Sequence, residues 1–145
     1  MISRTGRHAV LALASMANQP GSRLFGAAAI AREIGAPRNY LGKLLRPLTQ
    51  EGLVKSQKGK GGGFRLARPA DEITLFDVVE PIEEVSRWEG CFLGRNKCTG
   101  KTPCALHNRW KGLRASYLKF LKSTTVADVA REGWCDERAE TGRKK

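Results

Sequence analysis

Apolar residues recur at helical spacing near the start of the chain, at Ala9, Val10, Leu13, Ala14 and Ala17. That spacing predicts a helix from a Thr5 cap to about Asn18, ended by the breakers Pro20 and Gly21. A second, shorter helix fits residues 27–34, with Gly35 able to take the left-handed geometry that closes a helix. Pro37 opens a third at its preferred first-turn position. The apolar face of this helix is Tyr40, Leu41, Leu44, Leu45 and Leu48, and its outer face carries Arg38, Asn39, Lys43 and Arg46. Pro47 falls inside the pattern and should kink or tighten the last turn. His8 reads as an ordinary, partly buried imidazole of the first helix.

The period then changes from helix to strand. Leu53 to Gln57 and Phe64 to Ala67 alternate, and the cationic, glycine-rich run from Lys58 to Gly63 joins them. Two short helices across a glycine-containing turn, followed by such a hairpin, read as a winged helix-turn-helix. Small residues at the wing tip let the backbone approach a phosphate chain or a narrow groove closely. A nucleotide-cradling glycine loop is the rival, but neither a Walker pattern nor a helix N-terminus follows.

Pro69 to Glu72 marks a junction. Thr74 and Asp77 then make a capping box for a helix through Val78, Val79 and Ile82, which Pro81 should disturb. The longest regular stretch runs from about Cys104 to Lys122. Its residues Leu106, Trp110, Leu113, Tyr117 and Phe120 are spaced as in a coiled-coil seam. Such a stripe suits either the chain's own core or a dimer interface. Thr125 and Asp128 cap a last short helix, and residues 136–145 form a charged tail. The fold class expected is mainly α with a small β-hairpin: a winged helix-turn-helix plus a long C-terminal dimerisation helix. The divisions are 1–70 for DNA binding, 71–89 as connecting helix and 90–104 as a cysteine-rich loop. Residues 105–132 hold the long and the short terminal helix, and 133–145 the tail.

Charge sharpens this division. Of the net +12 over 145 residues, residues 1–68 hold +10, with 12 Lys/Arg against Glu33 and Glu51. Solubility does not require such asymmetry, whereas a nucleic-acid face does. No apolar run is long enough to span a membrane, and nothing resembles a signal peptide, so a reducing, cytoplasmic setting is expected. No nucleophile has a second catalytic group beside it, so the chain does not read as an enzyme.

The remaining chemistry is concentrated between Cys91 and His107, where three of the four cysteines and one of the two histidines fall. Gly90, Gly94, Gly100 and Pro103 break regular structure, so the first two thiols, Cys91 and Cys98, sit on an irregular loop able to gather around one centre. Cys104 and His107 are three apart and should project from the first turn of the long helix. Arg95, Lys97, Lys101 and the helix N-terminus would all favour thiolates. A disulfide framework does not suit a reducing compartment. Structural zinc, an iron–sulfur cluster and thiols with a redox role all remain open, since spacing alone does not select among them.

These segments together resemble the Rrf2 family of bacterial winged-helix transcription regulators, most nearly its iron–sulfur-cluster-assembly members. The resemblance is carried by Gly6-Arg7-His8-Ala9-Val10, Tyr40-Leu41 with Leu44-Leu45, and Leu53 to Ser56. It continues through the Gly59 to Phe64 wing, Ala67-Arg68-Pro69, Ile73-Thr74-Leu75, the cysteine triad and Thr125 to Asp128. It implies a homodimer joined through the long helix, bound to a pseudo-palindromic operator in double-stranded DNA. It further implies cluster ligands at Cys91, Cys98, Cys104 and His107. DNA contacts would come from Arg38, Asn39, Tyr40 and Lys43 on the third helix and from Lys58, Gly59 and Lys60 on the wing.

Several departures bear on those implications. Six residues separate the first two cysteines where the family's cluster-assembly and nitric-oxide-sensing members have five. The latter draw a carboxylate ligand from the partner's first helix, where this chain has Arg7. That favours His107 and a [2Fe-2S] cluster over [4Fe-4S], with Cys135 as the rival fourth ligand. Lys58 stands where arginine is common, and Gly42 where an acid is frequent. The alternative is a regulator of the same fold that senses by cysteine thiol chemistry or holds structural zinc.

Overall fold

Helix α1 (Arg4–Ala17) is buried nearly all round, which marks it as the centre of the molecule rather than a surface helix. The computed structural model describes residues 2–19, 23–87, 90–95 and 99–134. The cap of α1 is Ser3, not Thr5: the Ser3 hydroxyl accepts from the Gly6 N–H at 3.0 Å. A tertiary contact decides this, because the Ser3 N–H donates to Glu83 Oε1 at 2.6 Å and its hydroxyl also bonds that carboxylate. The helix ends at Ala17, and the predicted breakers Pro20 and Gly21 lie outside the described residues.

Helix α2 (Ala27–Ile34) stops at Gly35, whose φ of 72° is the left-handed closure expected of it. Pro37 takes the N-cap of α3 (Arg38–Gln50), one position before the first turn, and α3 continues as an α-helix through Pro47. Leu41, Leu44, Leu45 and Leu48 are buried and fasten α3 to the core. Strands β1 (Val54–Gln57) and β2 (Gly63–Leu66) pair antiparallel, with Val54 opposite Leu66 and Gln57 opposite Gly63. Phe25 extends this hairpin through backbone hydrogen bonds in both directions with Phe64, at 2.7 and 2.9 Å. The hairpin is thereby tied to the entrance of α2.

Helix α4 (Leu75–Glu83) and helix α6 (Val126–Glu132) both start in complete capping boxes, Thr74/Asp77 and Thr125/Asp128. Those starts lie side by side. The Leu75 N–H donates to the Thr124 carbonyl and the Val126 N–H to the Ile73 carbonyl, both at 2.9 Å. Between them in sequence, α5 (His107–Ser123) begins three residues later than its pattern suggests and buries fully only Leu121. Ile73, Val78, Val79, Val85, Leu121 and Val126 join Leu13, Ile30, Leu41 and Leu45 in one apolar core. The winged half and the cysteine-bearing half therefore share a single interior.

Candidate nucleic-acid interface and cysteine cleft

With four leucines of α3 held inside, the opposite side of the helix is left to solvent. Arg38, Asn39, Gly42, Lys43 and Arg46 are all exposed. Tyr40 differs: it is half-buried, and its ring meets the His8 ring edge-on with centroids 5.6 Å apart. It thus packs α3 on α1 as well as standing at the proposed reading face. At the wing, Lys58, Gly59 and Lys60 are exposed, with Gly59 and Gly61 at φ 95° and 79°, a tight tip that side chains would strain. A groove separates α3 from the wing. Arg38, Gly42, Arg46 and Thr49 line one wall, and Ser56, Gln57 and Lys58 the other. Arg46 was placed on the outer face of this helix by its spacing but not among the DNA contacts, and Thr49, Ser56 and Gln57 were not among them either. The signal was available in part, since Arg38, Gly42 and Arg46 are spaced by four and must share one helix face.

The second site lies at the foot of α5. Cys91 and Cys104 bring their sulfurs to 3.6 Å, well beyond the roughly 2.05 Å of a bond between them. A cleft of about 170 Å³ opens there, lined by both cysteines with His107, Trp110, Lys111 and Arg114. Trp110 fixes the rim: its indole N–H donates to the Gly90 carbonyl at 3.2 Å, and the Phe92 ring leans on it at 5.4 Å between centroids. Cys104 does not share a helical turn with His107, as the spacing suggested. Cys104 precedes the helix, accepts the His107 N–H through its carbonyl at 3.1 Å, and instead faces Cys91 across the loop. Cys98, Lys97 and Cys135 lie outside the described residues. Among the described residues, no three His, Cys, Asp or Glu side chains converge on one metal position. What is assembled is a sulfur pair with an imidazole lining the same cleft.

That pair is a reasonable fit to a thiophilic centre. Two thiolates bound about 2.3 Å from one tetrahedral metal stand about 3.8 Å apart, close to the observed separation.

Residues 2–132 match the Rrf2 family, described as iron-dependent transcriptional regulators. The chain belongs to the Rrf2 family. A helix-turn-helix transcriptional regulator of Aquifex aeolicus is 36% identical over 131 residues, covering 89% of this chain and 90% of that one. The transcriptional regulator IscR of Cereibacter sphaeroides is 33% identical over 132 residues, covering 88% and 85%. Among solved structures, the global cysteine regulator CymR of B. subtilis aligns with a TM-score of 0.75 at 27% identity, over 92% of this chain and 98% of that one.

As an Rrf2 member the chain is a DNA-binding transcriptional regulator, not an enzyme, and its mainly helical winged fold is that of its relatives. Among the described residues no helix is long and apolar enough to cross a membrane. Glu83, at the end of α4, bonds the start of α1, and its charge acts on Tyr117 of α5. The Tyr117 phenol is pushed above its ordinary value of 10.0, first by burial and then by the Glu83 carboxylate.

Proposed function

We propose that this Rrf2 regulator acts as a homodimer on a pseudo-palindromic DNA operator, and that a [2Fe-2S] cluster at the foot of α5 sets its affinity. The observation carrying this reading is the Cys91–Cys104 sulfur pair at 3.6 Å with His107 on the same cleft. Cys91 and Cys104 would hold one metal together, leaving Cys98 and His107 for the second. A bound cluster supplies a one-electron redox centre and a rigid cross-link between loop and helix. The chain's own part is to hold the loop against Trp110 and α5, so that loop order is transmitted to the helix.

On DNA, two copies of α3 would enter successive major grooves about one helical turn apart. Arg38, Asn39 and Lys43 lie on the outer face, and Lys58, Gly59 and Lys60 on the wing. A second reading has its own support. Sulfurs this close need only a small approach to bond, and the similar CymR is titled a global cysteine regulator, so direct thiol sensing at Cys91 and Cys104 is the alternative.

Anaerobic purification with iron, sulfide and zinc counting separates the cases. Two irons and two sulfides per chain are expected, with visible absorption that Cys104→Ala abolishes, His107→Cys retains and Cys135→Ala leaves unchanged. Four irons per chain would overturn the cluster type. Stoichiometric zinc without sulfide, or metal-free chains whose DNA affinity follows thiol oxidation, would overturn the cluster itself.

A further inference from the structure

Lys111 and Arg114 have no part in holding a metal, yet both line the cleft at the foot of α5. They follow His107 at steps of four and three residues, so one face of the helix presents two cations beside the imidazole. No carboxylate is among the described residues lining the cleft. Trp110 and Phe92 give it an aromatic edge, and its volume of about 170 Å³ admits a small molecule rather than a protein segment. Cys91 and Cys104 are both half-buried, so a reagent in the cleft can reach them. Cations and an apolar edge together suit a small carboxylate with a short apolar stem. A sulfur pair beside them suits a ligand that itself carries sulfur.

We propose that, in the cluster-free chain, this cleft is the reaction site for a small anionic disulfide formed from two carboxylate-bearing thiols. Lys111 and Arg114 attract its carboxylates and bring its sulfurs to the cysteine pair. The thiolate of one cysteine attacks a sulfur of the bound molecule. A protein–ligand S–S bond forms, the ligand's own S–S bond breaks, and one half leaves with the electron pair as a thiolate. The second cysteine, its sulfur 3.6 Å away, then attacks the protein sulfur of that mixed disulfide. The Cys91–Cys104 bond forms and the other half leaves as a thiolate. The cysteine pair thus loses two electrons, the small disulfide gains them, and the protons of the two protein thiols pass to the two released thiols. Hydrogen peroxide, small and neutral, would need neither the room nor the cations. The proposal rests on the thiol-sensing reading of this cleft and names the oxidant that the reading leaves open. A bound cluster would occupy both sulfurs, so the reaction belongs to the chain before loading or after loss.

The test uses the full-length chain, reduced and freed of metal, with oxidised glutathione as the anionic probe and cystamine as the cationic one. Digestion and mass spectrometry should find a Cys91–Cys104 cross-link after oxidised glutathione. Cys91→Ser or Cys104→Ser should halt at a stable mixed disulfide on the remaining thiol. Lys111→Gln with Arg114→Gln should slow the reaction of oxidised glutathione about tenfold and leave that of cystamine no slower. Arg109→Gln with Lys119→Gln removes the same charge from α5 outside the cleft and should matter clearly less. Equal slowing by the two pairs of changes, or equal slowing of both probes, would overturn the proposal. So would a cross-link to Cys98 or Cys135 in place of the Cys91–Cys104 bond, or the lack of a mixed disulfide in both single variants. If the cross-link forms as described and DNA affinity stays the same, thiol sensing is refuted while the reaction in the cleft stands.

Discussion

Gly6 and His8 show how much a single position can carry at the centre of this fold. A Cβ on Gly6 would lie 2.3 Å from Glu83 Oε1, the same oxygen that accepts the Ser3 N–H. Alanine there must displace the carboxylate and loosen the start of α1. Gly6→Ala should therefore cost about 0.5–1.5 kcal/mol, the worth of the Ser3–Glu83 hydrogen bonding that the displaced carboxylate gives up. Urea unfolding measures it, and an unchanged midpoint would mean that Glu83 moves aside freely. His8 is 5% exposed, and none of the described residues bonds its Nδ1. Burial first, then the charges of Arg7 and Arg4, hold its pKa below the ordinary 6.5. The unfolded chain then takes up this proton before the folded one does, so His8 makes the fold lose stability as pH falls below about 6.5. His8→Phe should show a shallower fall of stability over that window than the unaltered protein, with identical slopes counting against the idea. The Gly6-Arg7-His8 run was recognisable in the sequence. Its physical reason was not, because Glu83 is distant in the chain and only the fold brings it near.

At the scale of the element, the chain's periodicities translated well wherever one face of a helix meets the core. The leucines of α3, the Gly35 closure and both capping boxes stand as the pattern indicated. The start of α5 was misjudged because Cys104 to Leu106 continue the apolar spacing without joining the helix. The seam of α5 is more telling. Leu113 and Phe120 are 63% and 53% exposed, although their spacing is that of an interface. Large apolar side chains in register on an exposed helix face suit a second copy of the same helix. Trp110 and Tyr117 are less suitable probes, since both are half-buried within their own chain. Leu113→Asp with Phe120→Asp should instead yield folded monomers in sedimentation, with weaker binding to operator DNA because bivalency is lost. A dimer surviving both changes would move the interface off this face.

For the molecule as a whole, the charge gradient divides the chain into a basic half and a near-neutral half, yet the interior does not observe that division. The gradient was readable because charge is local to the sequence. The shared core was not, because periodicity tells which face of a helix is buried and not what buries it. α1 belongs to the basic half but packs against α4 and α6 as well as α2 and α3. Val78, Val79 and Val126 are each 0% exposed beside it. Removing residues 71–145 would uncover much of that surface and leave Ser3 without Glu83. At about 25 cal/mol per Å² of apolar area, exposing even a few hundred Å² costs several kcal/mol, a large part of what a domain this size possesses. Residues 1–70 alone should therefore lack a cooperative thermal transition and show reduced helical circular dichroism, whereas the full chain should melt in one step. A cooperative melt with native helicity in the short fragment would show that the two halves are independent domains. In that case the loop at Cys91 could influence α3 only through the arrangement of the proposed dimer, and not through the common core.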